Sequence, residues 1–72
     1  MKTRFGENLK YYRKLNNMKQ DDLAKKLNTS RQAISLYEKG KRACSLEMVL
    51  KIADLFEIST DDLLIKNNTD NK

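Results

Sequence analysis

The sequence has no histidine, no proline and no tryptophan, and its 72 residues include only two glycines and one cysteine. Each shortage excludes something. Without histidine, Cys44 has no partner for a Cys–His nucleophile, and catalysis is not expected. A lone thiol builds no disulfide framework, and no secretory leader is evident, so the expected setting is reducing and intracellular. No apolar run approaches the roughly 20 residues that cross a bilayer. No glycine-rich phosphate loop appears, and neither cofactor nor metal is expected. Seventy-two residues hold one domain with a thin core. Scarce glycine and proline, with no alternating β-branched pattern, leave short helices and tight turns as the expected architecture.

What is present is charge, unevenly spread. Residues 1–43 carry twelve Lys and Arg against four acids, and residues 44–72 carry three Lys against six acids. Such asymmetry within one small domain points one face toward a polyanion. A solubilising surface is the plainer reading of the same charges. No basic segment carries the broad apolar face that a membrane-surface helix needs.

Periodicity predicts five helices. Phe5, Leu9, Tyr12 and Leu15 place the first over about residues 3–15, ended by Asn16 and Asn17. The second runs from about Gln20 to Leu27, burying Leu23, Ala24 and Leu27, with Asp21 and Asp22 suiting its positive end. Asn28 follows as a residue that tolerates the left-handed turn. Thr29 or Ser30 caps the third, which turns Ala33, Ile34 and Tyr37 inward and stops at Gly40. With Thr29 as the cap, Gln32 falls at capping-box spacing. Ser45 caps the fourth, where Leu46, Val49, Leu50, Ile52, Ala53 and Phe56 form a broad apolar arc. Ser59 and Asp62 have capping-box spacing ahead of Leu63, Leu64 and Ile65. Residues 66–72 are polar and read as a frayed tail beyond a domain at 1–65.

Two short helices joined by a tight turn must cross steeply, which calls for a small residue at the crossing. Ala24 supplies it, and Ile34 anchors the third helix. The outward positions are then Arg31, Gln32, Ser35, Leu36 and Lys39. The segment QDDLAKKLNTSRQAISLYEKGKR, from Gln20 to Arg42, resembles the helix-turn-helix domains of the phage repressor and Cro type, the XRE family. The resemblance extends more loosely over about residues 3–65. It implies an all-α, compact five-helix bundle of lambda repressor-like fold that places its third helix, about residues 30–39, in the major groove of double-stranded DNA. It also implies a transcriptional regulator acting by repression, a homodimer formed through the C-terminal helices, a palindromic operator, and a bacterial, phage or mobile-element origin. A cytoplasmic location follows, and no small-molecule ligand is expected.

The resemblance assigns roles that the side chains can fill. Arg31 and Gln32 match base-reading positions, where Arg offers two donors to guanine and Gln pairs with adenine or bonds a phosphate. Ser35 is short enough to touch either a base or the backbone. Leu36 matches a further base-facing position and suits a thymine methyl, its plainer reading being peripheral core or a dimer contact. Gln20 matches a phosphate contact at a helix N-terminus. Lys19, Thr29 and Ser30 at the helix starts, with Lys39, Lys41 and Arg42 after the third helix, are assigned to phosphate and fix register without reading sequence. Arg13 and Glu38 match a structural ion pair.

The chain departs from the family pattern at three places. Lys19 stands where Ser or Thr usually caps the second helix, a loss of about 1 kcal/mol. Asn28 replaces a common glycine and Cys44 a common proline. A redox role for Cys44 has no resolving partner in the sequence. The competing reading is a protein-interaction module, such as an antitoxin or recruiting factor, docking through the acidic half and the apolar Leu55, Leu64 and Ile65. RNA is disfavoured, since Phe5, Tyr12, Tyr37 and Phe56 fall on core-like faces and only Tyr11 is left for stacking.

Overall fold

The computed structural model describes residues 4–66. Five helices follow in order: α1 Phe5–Leu15, α2 Gln20–Lys26, α3 Arg31–Glu38, α4 Leu46–Phe56 and α5 Thr60–Leu64. No strand occurs among the described residues. Among them, too, no helix is long and apolar enough to cross a membrane. Of the expected tail at 66–72, residues 67–72 lie outside the described residues, as does the start of the first helix at residue 3. Lys66 is described, and its amide donates to the Asp61 carbonyl at 3.0 Å.

The same backbone device ends α1 to α4. A residue with positive φ follows each helix: Asn17 at 57°, Asn28 at 57°, Gly40 at 72° and Glu57 at 56°. The next amide then reaches back into the last turn, from Met18 to the Arg13 carbonyl, Thr29 to Ala24, Lys41 to Leu36 and Ile58 to Ala53, at 2.9–3.0 Å. These pairings satisfy carbonyls that a helix end would otherwise leave open. Asn and Gly enter this conformation readily; Glu57 does so against an intrinsic cost of about 1–2 kcal/mol.

The helix starts use side chains. Ser30 Oγ accepts from the Ala33 amide at 3.1 Å and Ser45 Oγ from Met48 at 3.1 Å. Ser59 and Asp62 form a reciprocal box at 3.0 and 3.3 Å. The cap of α3 is therefore Ser30; the Thr29–Gln32 box does not form, because the Thr29 amide is already used to close α2. Lys19 has no acceptor to offer α2, but Asp22 Oδ2 accepts from the Lys19 amide at 3.0 Å. Half of a capping box thus survives the missing hydroxyl.

The core gathers Phe5, Leu9, Leu23, Ala24, Leu27, Ala33, Ile34, Tyr37, Val49, Ile52 and Leu63. Each fully buried Leu or Ile contributes roughly 1.5–3 kcal/mol of transfer free energy. Three residues of the expected apolar helix faces are not there: Leu15, Leu46 and Leu50 are 62%, 72% and 52% exposed. Leu15 lies on the far flank of α1, and Leu46 and Leu50, one turn apart, form a strip beside the buried edge of α4. Conversely, Asn8 is wholly buried. Its Nδ2 donates to the carbonyls of Leu63 and Lys66, both at 2.9 Å, and the Arg4 amide donates to the Leu64 carbonyl at 2.8 Å. Polar bonds thus fasten α1 to the end of α5. Lys51 Nζ reaches the Leu27 carbonyl at 3.2 Å, fastening α4 to the negative end of α2.

Candidate nucleic-acid interface

The segment from Leu27 to Ser30 joins α2 to α3. Ala24 is 2% exposed at the crossing, and the turn closes through Asn28 at φ 57°. A larger residue at Ala24 would push the helices apart. On α3, Ala33, Ile34 and Tyr37 are buried, while Arg31, Gln32, Leu36 and Lys39 are exposed and Ser35 is half-buried. At about 3.6 residues per turn, Arg31, Gln32, Ser35, Leu36 and Lys39 share one continuous arc opposite the core. The five outward positions read from the sequence therefore fall on a single surface.

That surface has no opposing charge of its own. The first turn of α3 holds no acid, and its single carboxylate, Glu38, turns inward. Arg13 Nε and Nη2 donate to Glu38 Oε2 and Oε1 at 2.7 and 3.2 Å. Arg13 Nη1 also donates to the Met18 carbonyl at 2.8 Å. The side chains of this pair are only 10% and 5% exposed. One guanidinium therefore holds α1, the α1–α2 turn and the end of α3 together.

Gln20 is placed differently from the simple phosphate contact. Its Nε2 donates to Glu38 Oε1 at 3.0 Å, so the side-chain donor is engaged within the protein. Its backbone amide still belongs to the open N-terminus of α2, where N–H groups and dipole favour an anion. The neighbouring acids are also engaged. Asp22 accepts from the Lys19 amide, and Asp21 lies 3.6 Å from Lys25 Nζ. Lys19 is exposed, and Thr29 is half-buried. Ser30 is exposed, with its hydroxyl serving the α3 cap.

Beyond α3, Gly40 turns the chain and Lys41 and Arg42 are exposed. The Arg42 guanidinium sits 5.8 Å from the centroid of the Tyr37 ring, which fixes its stem against α3. Phe5 in turn meets Tyr37 edge-on at 5.9 Å. Sequence spacing signals none of these tertiary contacts: Gln20 with Glu38, Arg42 over Tyr37, or Asn8 beneath α5. Cys44 lies in a groove of about 570 Å³ between the basic loop, Phe5, Leu46 and Leu64. Burial pushes its thiol up to about 11. A thiol so raised is a weak nucleophile at neutral pH.

The geometry is thus an exposed helix with basic and amide side chains, seated by an ion pair and flanked by a basic loop. The helix-turn-helix family model matches residues 9–63, more than half of the chain. The chain belongs to the helix-turn-helix family. An HTH-type transcriptional regulator of Methanocaldococcus jannaschii is 53% identical over 57 residues, covering 79% of this chain and 86% of the relative. The P22 c2 repressor, solved with a synthetic operator, superposes with a TM-score of 0.80 at 28% identity, covering 88% of this chain and 96% of that one. The restriction-modification controller protein C.AhdI of Aeromonas hydrophila gives a TM-score of 0.76 at 30% identity, covering 83% and 91%. Similarity to these helix-turn-helix proteins accounts for the five-helix order and for the place of α3 within it. The curated relatives it matches are HTH-type transcriptional regulators.

Proposed function

We propose that the protein binds double-stranded DNA sequence-specifically as a transcriptional regulator, with α3 in the major groove. The observation that carries this is the single outward arc of α3, free of acidic residues, on a helix whose one carboxylate is locked inward by Arg13. Arg31, Gln32, Ser35 and Leu36 read base edges. Lys19, Gln20, Thr29, Ser30, Lys39, Lys41 and Arg42 meet phosphate, Gln20 through its backbone amide and Thr29 and Ser30 through their hydroxyls. The operator-bound state of the P22 c2 repressor supports this reading. Repression by occluding promoter DNA is the simplest action of so small a domain, in the cytoplasm where the DNA lies.

The DNA-bound form is a homodimer joined through the C-terminal helices. Exposed Leu46, Leu50 and Ile65, with the groove that Leu46 and Leu64 line, supply apolar surface for a second copy. Two copies then meet half-sites about 34 Å apart. The same apolar surface favours, as a second reading, docking of a different protein with DNA binding dependent on it.

The deciding experiment is selection from a random duplex pool, then binding of the enriched duplex across salt concentrations. A short palindrome with half-sites one turn apart is expected. No enriched sequence, with binding lost at physiological salt, overturns the reading and directs attention to a protein partner. Sedimentation with and without the duplex reports the dimer.

A further inference from the structure

Gly6 is the second residue of α1, in its first turn. A Cβ built on it would stand 2.6 Å from the Tyr37 carbonyl oxygen, 2.8 Å from the Glu38 oxygen and 3.2 Å from the Glu38 carbonyl carbon. All three are backbone atoms, so no side chain can swing aside to make room. Relief requires α1 and the C-terminal turn of α3 to separate. That turn carries Glu38, held by Arg13 and Gln20. It leads directly into Gly40, whose amide bonds the Tyr37 carbonyl at 3.1 Å. The carbonyl that a Gly6 side chain would strike is thus the one that closes the turn into Lys41 and Arg42.

We propose that Gly6 is a positioning residue for α3: its missing side chain sets how deeply the recognition helix seats on α1. The proposal rests on the DNA-binding reading above and names a determinant of its specificity. Gly6 is not part of the outward arc of α3, and the atoms nearest its absent side chain are backbone atoms of Tyr37 and Glu38. It acts through Tyr37 and Glu38. Moving the end of α3 tilts Arg31 and Gln32 at its start relative to the phosphate contacts on α2 and on the loop. Base readout depends on that relative placement, whereas nonspecific attraction to phosphate depends chiefly on charge.

The test compares Gly6→Ala with the wild type in the full chain, at a temperature where thermal unfolding shows both to be folded. In the free proteins, amide resonances of Tyr37 to Arg42 and the Arg13 Nε–H signal are expected to shift. On DNA, affinity for the enriched duplex is expected to fall roughly tenfold, the scale of one disturbed base contact, with little change on random duplex. A variant that needs support to fold is measured in a Glu57→Gly background. Unchanged resonances in that region, or equal losses on both duplexes, overturn the proposal. A wild type without a preferred duplex would overturn the functional reading instead, and the resonances of the free protein would then judge Gly6 by themselves.

Discussion

Arg13 and Glu38 meet through two hydrogen bonds, Nε to Oε2 at 2.7 Å and Nη2 to Oε1 at 3.2 Å. The contact spans 25 residues of sequence and is almost closed to water. Removing one partner leaves the other charge buried and unpaired. Glu38→Ala is therefore expected to cost roughly 3–5 kcal/mol in urea unfolding. Replacing both residues with apolar ones of similar size should cost far less than the two single changes combined. Additive single effects across the double-mutant cycle would show that the two charges are not coupled.

Arg31 and Lys41 are assigned different work and should respond differently. Arg31→Ala is expected to lose roughly 1–3 kcal/mol on the preferred duplex and to relax preference at one base pair. Lys41→Ala should weaken all duplexes about equally and lower the salt slope by roughly one unit. Binding isotherms on preferred and random DNA at several salt concentrations separate the two. Identical behaviour of both variants would void the assignments.

Glu57 holds a left-handed conformation, φ 56° and ψ 47°, at the end of α4. Glycine enters that region without the Cβ clash. Glu57→Gly is expected to stabilise the fold by about 1 kcal/mol, raising the midpoint by roughly 4–8 °C for a domain of this size. The residue is exposed and remote from α3 in the chain, so DNA binding should not change. A lowered midpoint would mean that the Glu57 side chain contributes more than its backbone costs.

Burial lifts the Cys44 thiol from 9.0 to about 11. The folded state therefore favours the neutral thiol. Below about pH 9 the group has no effect on stability with pH; between 9 and about 11 the unfolded chain loses its proton first, and stability falls as pH rises. Because only the thiolate reacts, alkylation of the folded protein at pH 7 should run on the order of a hundredfold slower than that of the unfolded chain. The rate should climb about tenfold per pH unit toward 11. Rapid labelling at pH 7 would contradict this. Cys44→Ser is expected to leave DNA binding unchanged.

Much of this protein was legible without coordinates because its signals are local. Ser45 and the Ser59–Asp62 pair cap helices through atoms three residues away, and Asn28 and Gly40 end helices through their own φ. The outward set on α3 follows from helical spacing and from which residues are apolar. Such rules depend only on neighbours within a turn or two, so composition and order determine them. The third-helix cap was the ambiguous case, with two hydroxyls in succession. It was decided by the closing of α2, which engages the Thr29 amide and leaves Ser30 to start α3.

Tertiary structure alone decided the rest. Apolar spacing set Leu15, Leu46 and Leu50 on the apolar faces of their helices, yet they are exposed, whereas polar Asn8 is buried beneath α5. Which side of a helix meets another depends on crossing angles set by the whole bundle, not on the helix's own pattern. Gln20 finds Glu38 across 18 residues because α2 packs on α3. Gly6 shows the same limit: its role comes from an absent atom, and only the backbone of α3 lying within 3 Å of the place where that atom would be gives the absence meaning.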